Sequence, residues 1–213
     1  MPPPVKVPLP TLERLATYLR LLYELEQQNV PTISSADVEL HTGIAAPQFR
    51  KDLSYFGDFG KPGVGYDVAT LLASIARILK VDRARRILLI GTGNLGAALI
   101  GYPGMSEHNF HIAAAFDNNP AKVGQHFSNL HVRDISTLAH ANREIGAKMA
   151  ILAVPANAAQ EVADACVAAG IEVMLNFAPT HIRVPSHVHV RNVSFLQELA
   201  VLSYNLDDRG VET

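Results

Sequence analysis

Apolar residues recur at helical spacing through the first third of the chain. Leu12, Leu15, Leu19 and Leu22 form one stripe within residues 11–29, with Arg14, Arg20 and Glu24 off it. That pattern predicts an amphipathic helix, ended by Pro31. Ser34, followed three residues later by Asp37, has the form of a capping box; it opens a short helix through Leu40, which Thr42-Gly43 closes. A third helix follows at once, with Pro47 in its first turn and Phe49, Leu53 and Phe56 as its buried face. Gly57, Gly60, Gly63 and Gly65, threaded with Phe59, Lys61, Val64 and Tyr66, then predict a tight β-hairpin. Asp67 can cap a further helix over 68–79, and the polar run 80–86 reads as a linker. Beyond it, strand-like runs at 87–90, 112–116, 149–154 and 173–176 alternate with helical stretches at 95–100, 135–142 and 158–169. This is the pattern of a doubly wound α/β sheet with parallel strands. A last amphipathic segment covers 195–206, so the expected organisation is three pieces: 1–80, 86–193 and 194–213.

Composition narrows the class. With 213 residues, 48% of them hydrophobic and 18% charged, the chain can build real cores in one large or two modest domains. No apolar run approaches the roughly 18 residues of a membrane span. The start Met1-Pro2-Pro3-Pro4 lacks the basic-then-apolar layout of a secretory signal, so the expected address is the cytoplasm, with no membrane partner. Cys166 is the only cysteine and lies in an apolar helical run, which predicts a core thiol and excludes disulfide frameworks and cysteine metal clusters. Net charge is -2, and residues 1–80 carry eight Lys/Arg against eight Asp/Glu. Any basic patch for a polyanion must therefore be local.

Gly91-Thr92-Gly93-Asn94-Leu95-Gly96 matches the pattern G-x-G-x-x-G, directly after a strand and opening a helix. In that context Gly91 permits the tight turn, Gly93 lets a pyrophosphate approach the backbone, and Gly96 lets helix and strand pack closely. Free N–H groups at the helix start, including those of Asn94 and Leu95, favour the phosphates. Asp117 comes twenty-one residues after Gly96 at the end of the next strand, where its carboxylate can take both hydrogen bonds from an adenosine ribose diol and repel a 2′-phosphate. The reading is a Rossmann-type domain for NADH or NAD. Two alternatives stay open: a glycine-rich turn that binds coenzyme A or nothing, and an Asp117 that only caps the turn Asn118-Asn119-Pro120.

The N-terminal order of helix, short helix, turn at Gly43, third helix and glycine-rich hairpin is that of a winged helix-turn-helix. Its third helix would read double-stranded DNA with an outward face of Gln48, Arg50, Lys51, Asp52, Ser54 and Tyr55, and Lys61 on the wing would add a backbone or minor-groove contact. A helical domain used only for dimerisation is the plainer alternative. The runs Arg50-Lys51-Asp52-Leu53-Ser54-Tyr55-Phe56-Gly57 and Gly60-Lys61-Pro62-Gly63-Val64-Gly65-Tyr66 carry a resemblance. Together with Gly91 to Gly96, Asn176-Phe177-Ala178-Pro179 and Thr17-Tyr18-Leu19-Arg20, they resemble the Rex family of redox-sensing transcriptional repressors along almost the whole chain. The resemblance implies a homodimer that binds operator DNA, is released by NADH, and tolerates NAD as a competitor for the same site. It also implies a last helix exchanged between subunits, with Tyr102 and Phe195 near the nicotinamide. One position departs from the family pattern: Ser194 stands where relatives often carry an acidic residue, so a polar contact supporting Tyr102 is absent or rebuilt.

The sequence offers no catalytic group to move a substrate proton alongside hydride transfer. There is no Tyr-x-x-x-Lys pair or G-x-S-x-G elbow, and His187 with His189, or His108 with His111, lacks an obvious third metal ligand. A regulator rather than an enzyme is expected, with NADH and NAD sensed rather than consumed and no metal. The alternative function is an NAD-dependent oxidoreductase whose N-terminal helices form a lid or dimer arm.

Overall fold

The computed structural model describes residues 7–60, 63–127 and 130–207. The chain divides between Arg83 and Ala84 into two compact units. In the first, α1 (Leu9–Gln27) buries Leu15, Tyr18, Leu21, Leu22 and Leu25. Its inner face is thus rotated from the expected leucine stripe, leaving Leu12 and Leu19 half-buried at the margin. The helix stops well before Pro31, because Asn29 turns left-handed at φ 56 and Val30 N–H donates back to the Leu25 carbonyl at 3.0 Å. A short strand β1 (Thr32–Ile33) leads into α2 (Ser35–Thr42), opened by the Ser34–Asp37 capping box and closed by Gly43 at φ 70. Two residues on, α3 (Ala46–Ser54) begins, its first N–H accepted by Glu39 at 2.9 Å.

Among its described residues the glycine-rich segment shows no strand pairing of its own, unlike the expected hairpin. Its described residues form a loop, and the strand that ends it, β2 (Tyr66–Asp67), pairs antiparallel with β1. Gly65 explains the choice: at φ 91 it lies so close to the Ile33 carbonyl that a Cβ would stand 2.7 Å from the oxygen. Helix α4 (Val68–Ile78) follows, with Asp67 accepting Thr70 N–H at its start. Phe49 is the centre of this unit, with edge contacts to Tyr18 at 4.8 Å and Tyr66 at 5.1 Å between ring centroids.

The second unit is a parallel sheet wound on both faces. Its elements are β3 (Arg85–Ile90), α5 (Asn94–Ile100), α6 (Pro103–Glu107), β4 (Phe110–Asp117), β5 (His126–Phe127) and β6 (Leu130–Asp134). A 3₁₀ turn, Ile135–Thr137, leads into α7 (Leu138–Ile145), β7 (Met149–Leu152), α8 (Ala159–Ala168), β8 (Val173–Asn176), β9 (His189–Asn192) and α9 (Phe195–Asp207). Strand order is β5-β6-β4-β3-β7-β8-β9, with all pairs parallel except β5 against β6. Without the β5 edge this is the 3-2-1-4-5-6 order of the dinucleotide-binding sheet. Leu88, Ile90, Phe116, Leu152 and Met174 pack on one face with Cys166, and Ile87, Leu89, Ala115 and Ile151 on the other. Burial raises the Cys166 thiol to about 12, which keeps it protonated. Helix α7 begins later than expected, since Asp134 caps the 3₁₀ turn through Ser136, and it runs on to Gly146 at φ 68. Strand β7 ends at Leu152, two residues short of the expected end, where the chain leaves the sheet toward α8. On α9, Leu196, Leu199, Leu202 and Leu206 are exposed.

One buried charge ties α3 to α1. Asp52, expected on the outward face of α3, is fully buried. Its Oδ2 accepts from Arg14 Nε at 2.6 Å and the Tyr18 hydroxyl at 3.0 Å. Its Oδ1 accepts from Arg14 Nη2 at 2.7 Å, Gln48 Nε2 at 2.9 Å and the Thr11 hydroxyl at 3.1 Å. Burial pushes the carboxyl up, but these hydrogen bonds outweigh it and hold the group below the usual carboxylate range. Breaking such a pair strands a buried charge, so Arg14→Ala should lower the stability of this unit by about 3 kcal/mol at neutral pH. Because the folded value lies below the unfolded one, the stabilisation is present above about pH 4 and is lost as pH falls through the folded value. Urea midpoints measured near neutrality and near pH 3 should show the gap between wild type and Arg14→Ala shrinking in acid. An equal gap at both would assign the loss to the packing of the Arg14 stem instead.

Candidate functional site

At the C-terminal ends of β3, β4 and β7 a cleft of about 740 Å³ opens, lined by Gly91, Gly93, Asp117, Asn118, Lys122, Val154 and neighbours. The strand order reverses between β3 and β7, so the cleft lies at the switch point where ligands enter open α/β sheets. The three glycines of the turn differ in what they spare. Gly91 sits at φ 94, and a Cβ there would collide with the Ala153 carbonyl. A Cβ on Gly96 would collide with the carbonyl of Gly91. Gly93 has an ordinary φ of -68 and nothing within 4 Å of a built Cβ. The protein's own packing therefore requires glycine at 91 and 96 but not at 93, where a side chain would project into the cleft. Past Gly93, Asn94 and Leu95 start α5, whose first N–H groups have no acceptor within the helix.

Asp117 closes the other side of this turn. The N–H and hydroxyl of buried Thr92 donate to Asp117 Oδ2 at 2.8 and 2.7 Å, and Lys122 Nζ reaches the same oxygen at 3.3 Å. Asn119 N–H donates to Oδ1 at 3.0 Å. Burial raises the carboxyl, yet the bonds from Thr92, Asn119 and Lys122 prevail and hold it at about 2, so it is ionised throughout the neutral range. Asp117 thus does cap its own turn, and Oδ2 is already engaged by three donors. A ribose hydroxyl would find its acceptor at Oδ1, not at both oxygens.

In the first unit α2, the turn 43–45 and α3 form the helix-turn-helix, and α3 presents Arg50, Lys51 and Ser54 as exposed residues. Arg50 Nη1 donates to the Ser35 hydroxyl at 2.8 Å, which fixes the guanidinium against the start of α2. The Ser54 hydroxyl donates within its helix, to the Lys51 carbonyl. Tyr55 is half-buried as the C-cap residue, 6.5 Å from Phe56 between ring centroids. Gln48 is half-buried and its amide is committed to Asp52, so it anchors α3 where the sequence had it reading bases. Lys61 lies outside the described residues. Tyr102 and Phe195 are 61% and 65% exposed and do not line the cleft; Phe195 stacks on Phe177 at 6.3 Å. Ser194 accepts Gln197 N–H at 3.3 Å and so serves the start of α9.

Sequence reasoning passed over Lys122, Val154 and the buried pair Arg14–Asp52. Lys122 had a signal, five residues after Asp117 across a proline turn. Asp52 had one too: at 3.6 residues per turn it falls roughly 60° from Phe49, beside the buried stripe. Among the described residues no group of three or more His, Cys, Asp or Glu is placed to hold a metal, and no helix is long and apolar enough to cross a membrane.

Residues 82–180 match the family model described as CoA binding domain, and residues 6–54 match the one described as "Putative DNA-binding protein N-terminus". The chain is 42% identical over 201 residues to the redox-sensing transcriptional repressor Rex of Carboxydothermus hydrogenoformans, covering 94% of this chain and 97% of that one. Among solved structures it is similar to RSP in complex with β-NAD⁺ and operator DNA, with TM-score 0.90, 34% identity, and 95% and 94% of the two chains covered. The complex of RSP with β-NADH gives TM-score 0.88 and 33% identity, covering 96% of each chain. RSP is a Rex-family repressor. With a helix-turn-helix unit, a cleft at the sheet's switch point and this likeness along nearly its full length, the chain belongs to the Rex family of redox-sensing transcriptional repressors.

Proposed function

We propose that this protein is a cytoplasmic repressor that binds operator DNA as a homodimer and leaves it when NADH fills the cleft. The observation that carries the reading is Gly93, a glycine that the fold does not need, at the mouth of a cleft at the sheet's switch point. The cleft takes the adenosine and pyrophosphate of NADH or NAD⁺ along 91–96, with a ribose hydroxyl on Asp117 Oδ1. A carboxylate in that place also disfavours the phosphorylated ribose of coenzyme A. The exposed leucines of α9 suit a helix covered by a second subunit, exchanged or not.

The family resemblance assigns Tyr102 and Phe195 to the nicotinamide; both stand outside the cleft within one chain, so Phe195 reaches the ring only if a second subunit contributes α9. The reduced ring is neutral and buries at little loss, whereas the oxidised ring carries a charge that is expensive to desolvate, so aromatic groups brought over the ring in that dimer favour NADH. Differential affinity of this kind shifts the dimer between two arrangements. Reader helices that match half-sites about 34–36 Å apart fit DNA in only one of them.

Three experiments test the reading. Bound to a labelled AT-rich palindromic duplex, the protein should be released by NADH at concentrations where NAD⁺ leaves it bound. Gly93→Val should fold and bind DNA as wild type does, yet bind NADH at least about tenfold more weakly and stay on the duplex when NADH is added. Release of Gly93→Val at the wild-type NADH concentration would place the ligand elsewhere. On α3, Arg50→Ala and Lys51→Ala should each weaken operator binding by about 1–3 kcal/mol at fixed salt without lowering the melting temperature. The phosphate-contacting member should also reduce the salt slope, and unchanged affinity in both variants would remove α3 from the interface.

A further inference from the structure

The cleft holds a cation where a site selective for the unphosphorylated dinucleotide needs none. Lys122 lines it together with Asp117, is two-thirds buried, and is tied by its ammonium to Asp117 Oδ2 at 3.3 Å. Its backbone is fixed as well. Lys122 N–H donates to the Asn119 carbonyl at 2.9 Å, and Ala121 N–H donates to the Asn119 side chain at 2.9 Å, so the turn after β4 directs the lysine back over the carboxylate. An acceptor of ribose hydroxyls does not require such a neighbour, since Thr92 and Asn119 already hold it in place.

We infer that Lys122 is a specificity-determining residue of this cleft: it is a phosphate-binding cation held in check by Asp117. On this view the protein rejects a 2′-phosphorylated dinucleotide because Asp117 both repels the phosphate and occupies the lysine, and not because a cation or space is lacking. The inference rests on the dinucleotide reading of the cleft. Its chemistry is simple: an ammonium released from a carboxylate makes charge-assisted hydrogen bonds to a phosphate dianion at the same place. Glu161, the other carboxylate lining the cleft, stays in place in every variant considered.

Calorimetric titration of NADH and NADPH into wild type, Asp117→Ser, Lys122→Ala and the double variant tests the assignment. Asp117→Ser should raise the affinity for NADPH relative to NADH by at least about tenfold, and added salt should erode that gain. Adding Lys122→Ala to it should remove most of the gain. A double variant that keeps the whole gain, or an Asp117→Ser protein that binds NADH with an unchanged ratio, overturns the role of Lys122. If the loss of the Thr92 bonds prevents Asp117→Ser from folding, Lys122→Ala alone decides: with Asp117 then uncompensated, NADPH should fall further behind NADH, and an unchanged ratio contradicts the inference. Wild type that binds neither dinucleotide would instead sink the dinucleotide reading itself, an outcome separate from all of these.

Discussion

At the turn from β3 into α5 the chain passes so near itself that no side chain fits: a methyl on Gly96 would overlap the carbonyl of Gly91, and one on Gly91 the carbonyl of Ala153. This contact presses α5 against the sheet at the point where strand order reverses, and so sets the width of the cleft and the direction in which the first N–H groups of α5 face. Thr92, caught between the two glycines, hands both its donors to Asp117 and so locks the end of β4 to the same turn. Asp117 in turn holds the Asn119 turn and Lys122. One backbone approach thereby fixes the glycine turn, the Asp117 carboxylate and the cation beside it.

The N-terminal unit solves a different problem, that of presenting positive charge from a domain with no net excess of it. Among the described residues α3 exposes Arg50 and Lys51, while its only acid, Asp52, is turned inward and met by Arg14. The outer face of the helix is therefore locally basic although the domain is neutral. The same carboxylate draws Gln48 toward the core and, with Tyr18 and Thr11, binds α3 to α1. Electrostatics outside and helix attachment inside are consequences of a single side chain's direction.

Much of this was legible in the residues. The glycine fingerprint, the Ser34–Asp37 capping box, Gly43 at the turn and the Asp67 cap rest on local backbone geometry, and each lies where its spacing puts it. What was not legible depends on partners distant in sequence. Asp52 passes for a surface acid until Arg14, thirty-eight residues away, is beside it. The strand at Tyr66–Asp67 passes for half of a hairpin until Gly65 meets Ile33. Strands β5 and β9 are two and four residues long and carry one apolar residue each, and the alternation of Leu130 and Val132 with His131 and Arg133 in β6 spans only four residues, so none stands out before it pairs to a formed sheet.

In the proposed function the two units share one equilibrium, and linkage gives it a strict form. If NADH weakens operator binding by some factor, operator DNA must weaken NADH binding by the same factor. The direct measurement is the NADH dissociation constant of the free protein and of the protein saturated with operator duplex, at one salt concentration, beside the duplex affinity with and without NADH. The expected result is weaker NADH binding to the DNA complex, by a ratio equal to the loss of DNA affinity. Equal NADH affinity in the two states would contradict the claim, and would leave two binding units that share a chain without regulating one another.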